Sequence, residues 1–350
     1  MSHLYIKNGY NVTRHSYSAG QDYDSCPRRY QLARVQGWKE KVRRAALEFG
    51  NCVESALQHF HKTGCKPGSG VDEFKRQWLD FGPETPAGKE LTYSEREGDW
   101  NDLYKAGAEM LALYGIKWKS FGYTIPDPKK SFQTSFRKKV FPGSELDDLE
   151  YVAYVDLLGV QADGKTPIVV DIKTSGVGLP DPPELLQLDP QLRDYAWVSG
   201  FSDIAFLWFQ KVKIGDYKKG DQVTFLQGHG DFKPGDTAEV TKGGAKVFIG
   251  TVEVPADVLT KQRVLFVKTT VSAEDQREAG ELIGRQIVEI ESSGRKGLYP
   301  KKPGVRFPNN KCPMCSMLPL CLNDEKKIEE TLIRPAGVAP LKTSNWVDEI

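Results

Sequence analysis

The chain has no apolar run approaching the roughly 18 residues that a membrane helix needs. Its first twenty residues, MSHLYIKNGYNVTRHSYSAG, contain no apolar core of the kind a secretory signal carries. These absences exclude a helical membrane span and lead us to expect a cytoplasmic protein with no membrane partner. The sequence also lacks the phosphate loop G-x-x-x-x-G-K-[ST], so any helicase motor would have to be a separate chain. It has no internal repeat, which excludes solenoids and propellers. Charge of one sign is missing too: the net charge is +1 over 350 residues, so bulk charge argues neither for nor against a nucleic-acid partner.

The distribution of charge says more. Residues 1–44 carry nine Lys/Arg against three acids, residues 294–311 carry six Lys/Arg and no acid, and Lys129, Lys130, Arg137, Lys138 and Lys139 form a third basic stretch. Such stretches suit a phosphate backbone, because neutralising phosphates releases counterions. They also fit solvated faces offset by the acids of 84–102.

The pattern of apolar residues orders the chain as helix, three strands, helix, strand. Leu47, Val53, Leu57 and Phe60 have helical spacing within 45–63. The run Ser94-Glu95-Arg96-Glu97 is a capping box for a helix reaching about Trp118, with Leu103, Ala106, Met110 and Leu113 as its stripe. Between 131 and 173 the period becomes two: SFQTSFRKKVF alternates, EYVAYVDLLGV is β-branched and aromatic, and PIVVDIKT is a short buried-strand type. Asp163-Gly164 marks a hairpin turn between the last two. A helix over 184–199, a strand over 204–212, a Gly- and Lys-rich β insertion over 213–262, a strand over 263–270 and a helix from Ser272 to about Ser292 complete the reading. We expect an α/β fold in which 1–334 form a single domain. Its core is 45–212 and 263–292, with 20–44 and 295–334 as a terminal cap and 335–350 as an extended tail.

Two acids stand out on the paired strands. If these strands form a hairpin, Asp156 and Asp171 come close together, and the two-residue alternation of Asp171-Ile172-Lys173 puts Asp171 and Lys173 on one face. Carboxylates and a lysine at a sheet edge are costly unless paired or bound to a metal. Two aspartates suit Mg²⁺, which takes oxygen ligands plus water. The lysine could orient a water or offset developing negative charge. By itself a D-x-K triplet is weak, because a surface ion pair looks the same. Glu54 adds a carboxylate from an earlier helix, and Gln191 and Tyr195, four residues apart, project from one helical face.

Of the six cysteines, Cys312, Cys315 and Cys321 form C-x2-C-x5-C, and Cys26 lies far upstream in Cys26-Pro27-Arg28-Arg29-Tyr30. A short C-x2-C without a secretory context suggests metal or redox chemistry rather than a disulfide. Four thiolates could hold Zn²⁺ or a [4Fe–4S] cluster, and spacing does not separate the two. Cys52 reads as a buried helical thiol, and His59 and His61 as surface or packed residues.

The ordered set Glu54, Asp156, Asp171-x-Lys173, Gln191-x-x-x-Tyr195 resembles the PD-(D/E)XK nuclease superfamily, RecB-like branch, over about residues 26–321. The resemblance implies a mixed central sheet flanked by helices and a metal-dependent DNA exonuclease. A structure-selective end-processing endonuclease is one alternative. The other is a catalytically weak scaffold subunit, against which the intact Asp156, Asp171 and Lys173 argue. By the resemblance, Glu54, Asp156, Asp171 and the Ile172 carbonyl would ligate Mg²⁺ or Mn²⁺, Lys173 would be catalytic, and Gln191 and Tyr195 would form the fourth motif. The chain departs from the branch in having Glu54 where histidine is usual and no proline before Asp156. One cysteine before the core and three after it is similar to the iron-staple nucleases, of AddB type and CRISPR-associated. This implies a [4Fe–4S] cluster on Cys26, Cys312, Cys315 and Cys321, with Zn²⁺ as alternative. The implied partners are DNA, single-stranded or with free ends, and a separate helicase or recombination protein. Arg28, Arg29, Lys301, Lys302 and Arg306, with Gln191 and Tyr195, would contact the strand, and Tyr30 and Trp38 would either stack on bases or pack in the core.

Overall fold

Apolar residues three and four positions apart give the segment after Arg44 one face to bury. In the computed structural model, which describes residues 5–7, 10–12, 15–94, 98–144, 147, 149–305 and 311–334, this segment is helix α1 (Ala45–Lys62). Phe49, Cys52, Val53, Ala56, Leu57 and Phe60 are buried on it. Leu47, expected on the same face, is 65% exposed, because two residues are about 200° of helical turn away from Phe49. Helix α2 (Ser69–Leu79), which no expectation covered, buries Phe74 and Trp78. The helix expected from Ser94 instead begins as α3 (Trp100–Lys117). Its reciprocal cap joins Asp99 and Asp102, each side chain accepting from the other's backbone N–H at 3.0 and 3.3 Å. α2 and α3 cross closely at Gly107, where a β-carbon would stand 2.1 Å from Phe74 Cζ. Gly107→Ala would therefore overpack the crossing, at a cost of about 1–3 kcal/mol.

The strands follow as β1 (Tyr123–Thr124), β2 (Phe132–Lys139), β3 (Glu150–Gln161) and β4 (Pro167–Ser175). The helix expected over 184–199 is broken. Pro183–Leu188 is a 3₁₀ turn, and Asp189 then caps α4 (Pro190–Ser199), whose first residue is a proline with no N–H to leave unpaired. Next come β5 (Asp203–Gln210), β6 (Gln222–Phe225), β7 (Thr237–Glu239), β8 (Leu259–Thr260), β9 (Arg263–Thr270) and α5 (Ala273–Lys296).

The central sheet has the order β9-β5-β4-β3-β1, with β2 also paired to β3. It is mixed: β4 and β5 are parallel across the α4 crossover, while β3–β4, β5–β9 and β1–β3 are antiparallel. Helices α1, α2 and α3 supply Phe49, Leu57, Phe74, Trp78 and Met110 to a core shared with Leu157, Val170, Leu207 and Val264 of the sheet. The 213–262 insertion contains the antiparallel sheet β7-β6-β8 and a hairpin of Val247–Ile249 with Val252–Val254. It carries its own small core around Val223, Phe225 and Leu259.

The chain divides into two compact units, one made of 43–136 and 154–276, the other of 1–42, 137–153 and 277–350. In the second, a strand Lys39–Glu40 pairs with Leu332–Ile333, tying the two ends of the chain together. Leu32, Trp38, Met317, Leu320 and Leu332 pack beneath that pairing. Tyr30 is 1% exposed and Trp38 3% exposed, so both are core residues and neither offers a face for base stacking. The expected tail 335–350 lies outside the described residues. Among the described residues, no helix is long and apolar enough to cross a membrane.

Candidate active site

Strand register builds the carboxylate site. β3 and β4 pair from Val160↔Pro167 to Leu157↔Val170. One step further along the same antiparallel register, Asp156 falls opposite Asp171. There the ladder gives way to a side-chain bond: Ile172 N donates to Asp156 Oδ2 at 2.8 Å. Asp171 is 1% exposed, and Lys173, two residues on and so on the same face, is half-buried. Lys173 Nζ stands 2.7 Å from Asp171 Oδ2, but at an angle that leaves both Asp171 oxygens without an aligned hydrogen bond.

Helix α4 places the remaining predicted pair. Asp189 Oδ1 accepts from Leu192 N at 3.1 Å at its start, and Gly200 closes its end with φ of 74°. Between these caps, Gln191 and Tyr195 project one turn apart. Lys173 Nζ donates to Gln191 Oε1 at 3.0 Å, Gln191 Nε2 donates to Tyr195 OH at 2.7 Å, and Tyr195 OH donates to the Tyr154 carbonyl at 3.2 Å. Lys173, Gln191, Tyr195 and the Tyr154 carbonyl thus form one directed chain, with Asp171 beside its first member. It fixes the amide of Gln191 with its oxygen toward the lysine.

Glu54 reaches the site from α1 through a residue the sequence reading missed. Gln133 on β2 donates its Nε2 both to Glu54 and, at 3.4 Å, to Asp156 Oδ1. Its backbone is left-handed, with φ of 51° inside a strand, a conformation that costs a non-glycine residue of order 1 kcal/mol or more. Nothing in an alternating strand distinguishes this glutamine from any other outward polar residue. Only the fold reveals it.

The electrostatics are those of a place short of positive charge. Burial pushes the Asp171 carboxyl up to about 7; Lys173 opposes this and Asp156 reinforces it. Burial also raises Asp156, against the pull of the Ile172 N–H, Lys173 and Gln133, and it raises Glu54, which Asp156 raises further. Three elevated carboxyls, two orphaned oxygens on a buried aspartate and an amide lodged between two acids describe a cradle that a divalent cation fits chemically. As the side chains stand, no three His, Cys, Asp or Glu among the described residues gather into a ready coordination shell. The Gln133 amide occupies one oxygen each of Glu54 and Asp156.

The two histidines play no part in the cradle. His61 is packed, with Nε2 2.7 Å from Tyr114 OH, and burial lowers it to about 4. Cys52 is the buried thiol expected, pushed up to about 12 chiefly by burial.

The four other predicted cysteines all fall in the unit built from the chain ends, but among the described residues they do not gather into a group that could hold a metal ion. All are free thiols. Lys302 N donates to Cys26 Sγ at 3.4 Å and Gly304 N to Cys312 Sγ at 3.1 Å. Burial raises Cys315, and Arg29 pulls it down while Cys26 and Cys312 push it up. Burial likewise raises Cys321, lowered by Lys301 and Arg28 and raised by Cys315 and Cys26. The sulfurs therefore feel one another. Of the residues expected on DNA, Arg29 pairs with Asp22 at 3.1 Å, Arg28 donates to Gln31, Lys301 Nζ donates to the Cys321 carbonyl and Lys302 Nζ to the Asp24 carbonyl, each at 3.1 Å. Arg306 lies outside the described residues.

A family model of the PD-(D/E)XK nuclease superfamily matches residues 14–322. A search among curated proteins finds no match. Among solved structures, a candidate exonuclease from Eubacterium rectale is 10% identical with a TM-score of 0.44, over 85% of this chain and 87% of that one. The protein SSO0001 is 9% identical with a TM-score of 0.27, over 85% and 90%. At these scores neither likeness bears on the fold, and the family match stands by itself.

Proposed function

The chain belongs to the PD-(D/E)XK nuclease superfamily, and from that premise we propose that it is a metal-dependent exonuclease of the RecB-like branch, hydrolysing phosphodiester bonds in DNA. The observation that carries this reading is the chain of hydrogen bonds from Lys173 through Gln191 to Tyr195, beside an Asp171 carboxyl that burial raises and Lys173, 2.7 Å away, pulls down. Asp156, Asp171 and the Ile172 carbonyl would hold Mg²⁺ or Mn²⁺, with Glu54 joining once the Gln133 amide moves aside. When bound, the ion supplies Lewis acidity toward the phosphate and lowers the pKa of the attacking water.

The protein's own groups do the rest. Ile172 N fixes one Asp156 oxygen, so its other oxygen faces the cradle with a set orientation. Gln191 holds the Lys173 ammonium through its carbonyl oxygen, where the charge can offset the negative charge that develops on the phosphate. Tyr195, buried and anchored on the Tyr154 carbonyl, keeps the Gln191 amide from flipping.

For the cysteine group we propose a structural [4Fe–4S] cluster on Cys26, Cys312, Cys315 and Cys321, Zn²⁺ being the alternative. What supports this is two backbone N–H groups donating to sulfur, and Arg29, Lys301 and Arg28, which offset part of the burial that raises Cys315 and Cys321. Arg28, Arg29 and Lys301 would then serve the thiolates first and DNA second.

The test incubates 5′- and 3′-labelled single and double strands with the protein and Mg²⁺ or Mn²⁺. Loss of cleavage in Lys173→Ala with retained DNA binding is expected. Equal cleavage by wild type and variant sinks the reading.

A further inference from the structure

A cavity of about 330 Å³ opens where the end of α3 meets the insertion sheet and the start of β9. It lies at the lower end of the volumes of small-ligand sites. Three cations line it: Lys117, the last residue of α3, Lys261 and Arg263. Asp221, 3.4 Å away, and the Tyr217 ring, 5.4 Å from its Nζ, fix Lys261 in the wall. Lys117 and Arg263 make no ion pair or side-chain hydrogen bond with a described residue.

Hydroxyls complete the lining. Thr224 sits opposite Thr237 on one neighbouring strand and Thr260 on the other, so the three share one face of the insertion sheet. Thr260 is spent, donating to Glu109 at 2.7 Å. Thr224, only 7% exposed, lines the cavity with no partner for its hydroxyl among the described residues, and Thr237 stands beside it. Three acids stand near this wall: Asp221 pairs with Lys261, Glu239 accepts from Gln222 and Glu109 accepts from Thr260. An ammonium and a guanidinium outside any described ion pair, lining one cavity with a sheltered hydroxyl, make an anion site.

The sheet register relates this cavity to the carboxylate site. Ser175, two residues beyond Lys173, is opposite Gln210, and Gln210 is opposite Arg263. Arg263 is therefore at the same end of the sheet as Lys173, two strand spacings or about 10 Å across from Ser175. A nucleic-acid strand carries a phosphate at every nucleotide, so one crossing this end of the sheet can present one phosphate to Lys173 and another to the cavity.

We infer that this cavity binds phosphate, and that its occupant is a backbone phosphate of the strand being cut. The phosphate chemistry stands on the cavity alone; the choice of a strand rests on the nuclease reading. The β insertion is then part of the substrate-holding surface, with α3 and β9 supplying its two free cations.

The experiment measures binding of a fluorescent single-stranded oligodeoxynucleotide by anisotropy across a KCl series, with EDTA present so that nothing is cleaved. Wild type, Lys117→Gln/Arg263→Gln and Thr224→Val are compared, each checked for an unchanged Tm, and a deoxynucleoside monophosphate is titrated calorimetrically as a second probe. The double variant should bind the oligonucleotide about tenfold more weakly, with a salt slope shallower by about 1.4, at roughly 0.7 per lost contact on a single strand. Thr224→Val should weaken binding without changing the slope. If the variants lose only the monophosphate, the site stands and its occupant is a free nucleotide, which removes the strand assignment. Unchanged affinity and slope for both probes in folded variants overturns the site. Cleavage by wild type is scored separately with Mg²⁺, so its absence would remove the nuclease reading and leave the phosphate measurement untouched.

Discussion

The carboxylate cradle and the cysteine group are both sets of ligand-type side chains, yet they are built on opposite plans. Asp156, Asp171 and Lys173 lie within eighteen residues of one another on two paired strands, and the period of a strand puts them on one face. Cys26 and Cys312 are 286 positions apart and are placed by short turns at the two ends of the chain. In the first region burial works against the charged form of acids whose only described cation is Lys173. In the second, Arg28, Arg29 and Lys301 already surround the sulfurs. Burial raises Cys315 and Cys321 as it raises the acids, so the two regions differ in placement and in the cations beside them. On the proposed reading the cradle serves chemistry and the cysteine group holds the chain ends, and separate variants test the two.

The largest effect should come from the cysteines. On the proposed cluster, Cys26→Ser removes the one ligand that closes a loop of nearly the whole chain, worth on the order of 5 kcal/mol by analogy with a cross-link of that span. We expect a lower Tm, loss of broad visible absorbance and loss of bound iron, all read on one sample. An unchanged Tm would show that the cysteines hold nothing. Lys173→Ala should come next, reducing turnover about 10²–10³-fold, the usual cost of one preorganised donor at a developing charge. Its Tm and its DNA affinity should stay near wild type. A variant that lost stability and activity together would blur the distinction between the two regions.

What could be read in advance follows from the same contrast. Strand alternation put Asp171 and Lys173 on one face, a hairpin brought Asp156 beside them, and helical spacing put Gln191 and Tyr195 on one side of α4, all of which the structure shows. That the five belong to one site came from the family resemblance. The helix expected from Ser94 begins later, at Trp100, and Glu95, Arg96 and Glu97 of the expected box lie outside the described residues. The real cap, Asp99 with Asp102, uses a less distinctive pair. α2 was missed although Val71, Phe74 and Trp78 carry helical spacing, because the segment is short and otherwise polar. The basic residues near the cysteines were read as DNA contacts since charge is legible and its partner is not. Lys302, for example, donates to the Asp24 carbonyl, 278 residues away.

Acid should discriminate further, through His61 on the helix that carries Glu54. Burial lowers His61 from 6.5 to about 4, so the folded chain holds it neutral while the unfolded chain protonates it sooner. Its contribution to stability is whole above pH 6.5 and is lost as pH falls toward 4, by about 3 kcal/mol in all. His61→Gln keeps a partner for Tyr114 and does not titrate. Urea unfolding at several pH values should show the acid limb flattened in this variant between pH 6.5 and 4. An identical limb in both proteins would mean that another group carries it.

The smallest effect is the most informative about the cradle. Gln133 spends its amide on Glu54 and Asp156 and holds a left-handed backbone to do so. A cation arriving between those acids has to displace a hydrogen bond worth about 1 kcal/mol. Gln133→Gly removes the amide and relieves the backbone at once, since glycine adopts that φ freely. Mn²⁺ affinity by calorimetry should therefore rise about fivefold, the equilibrium equivalent of that bond. Gln133→Asn, whose shorter arm cannot span both acids, should fall between glycine and wild type. If all three bind alike, the amide swings aside without cost, and Glu54 then belongs to the cradle's wall rather than to the ion's ligands.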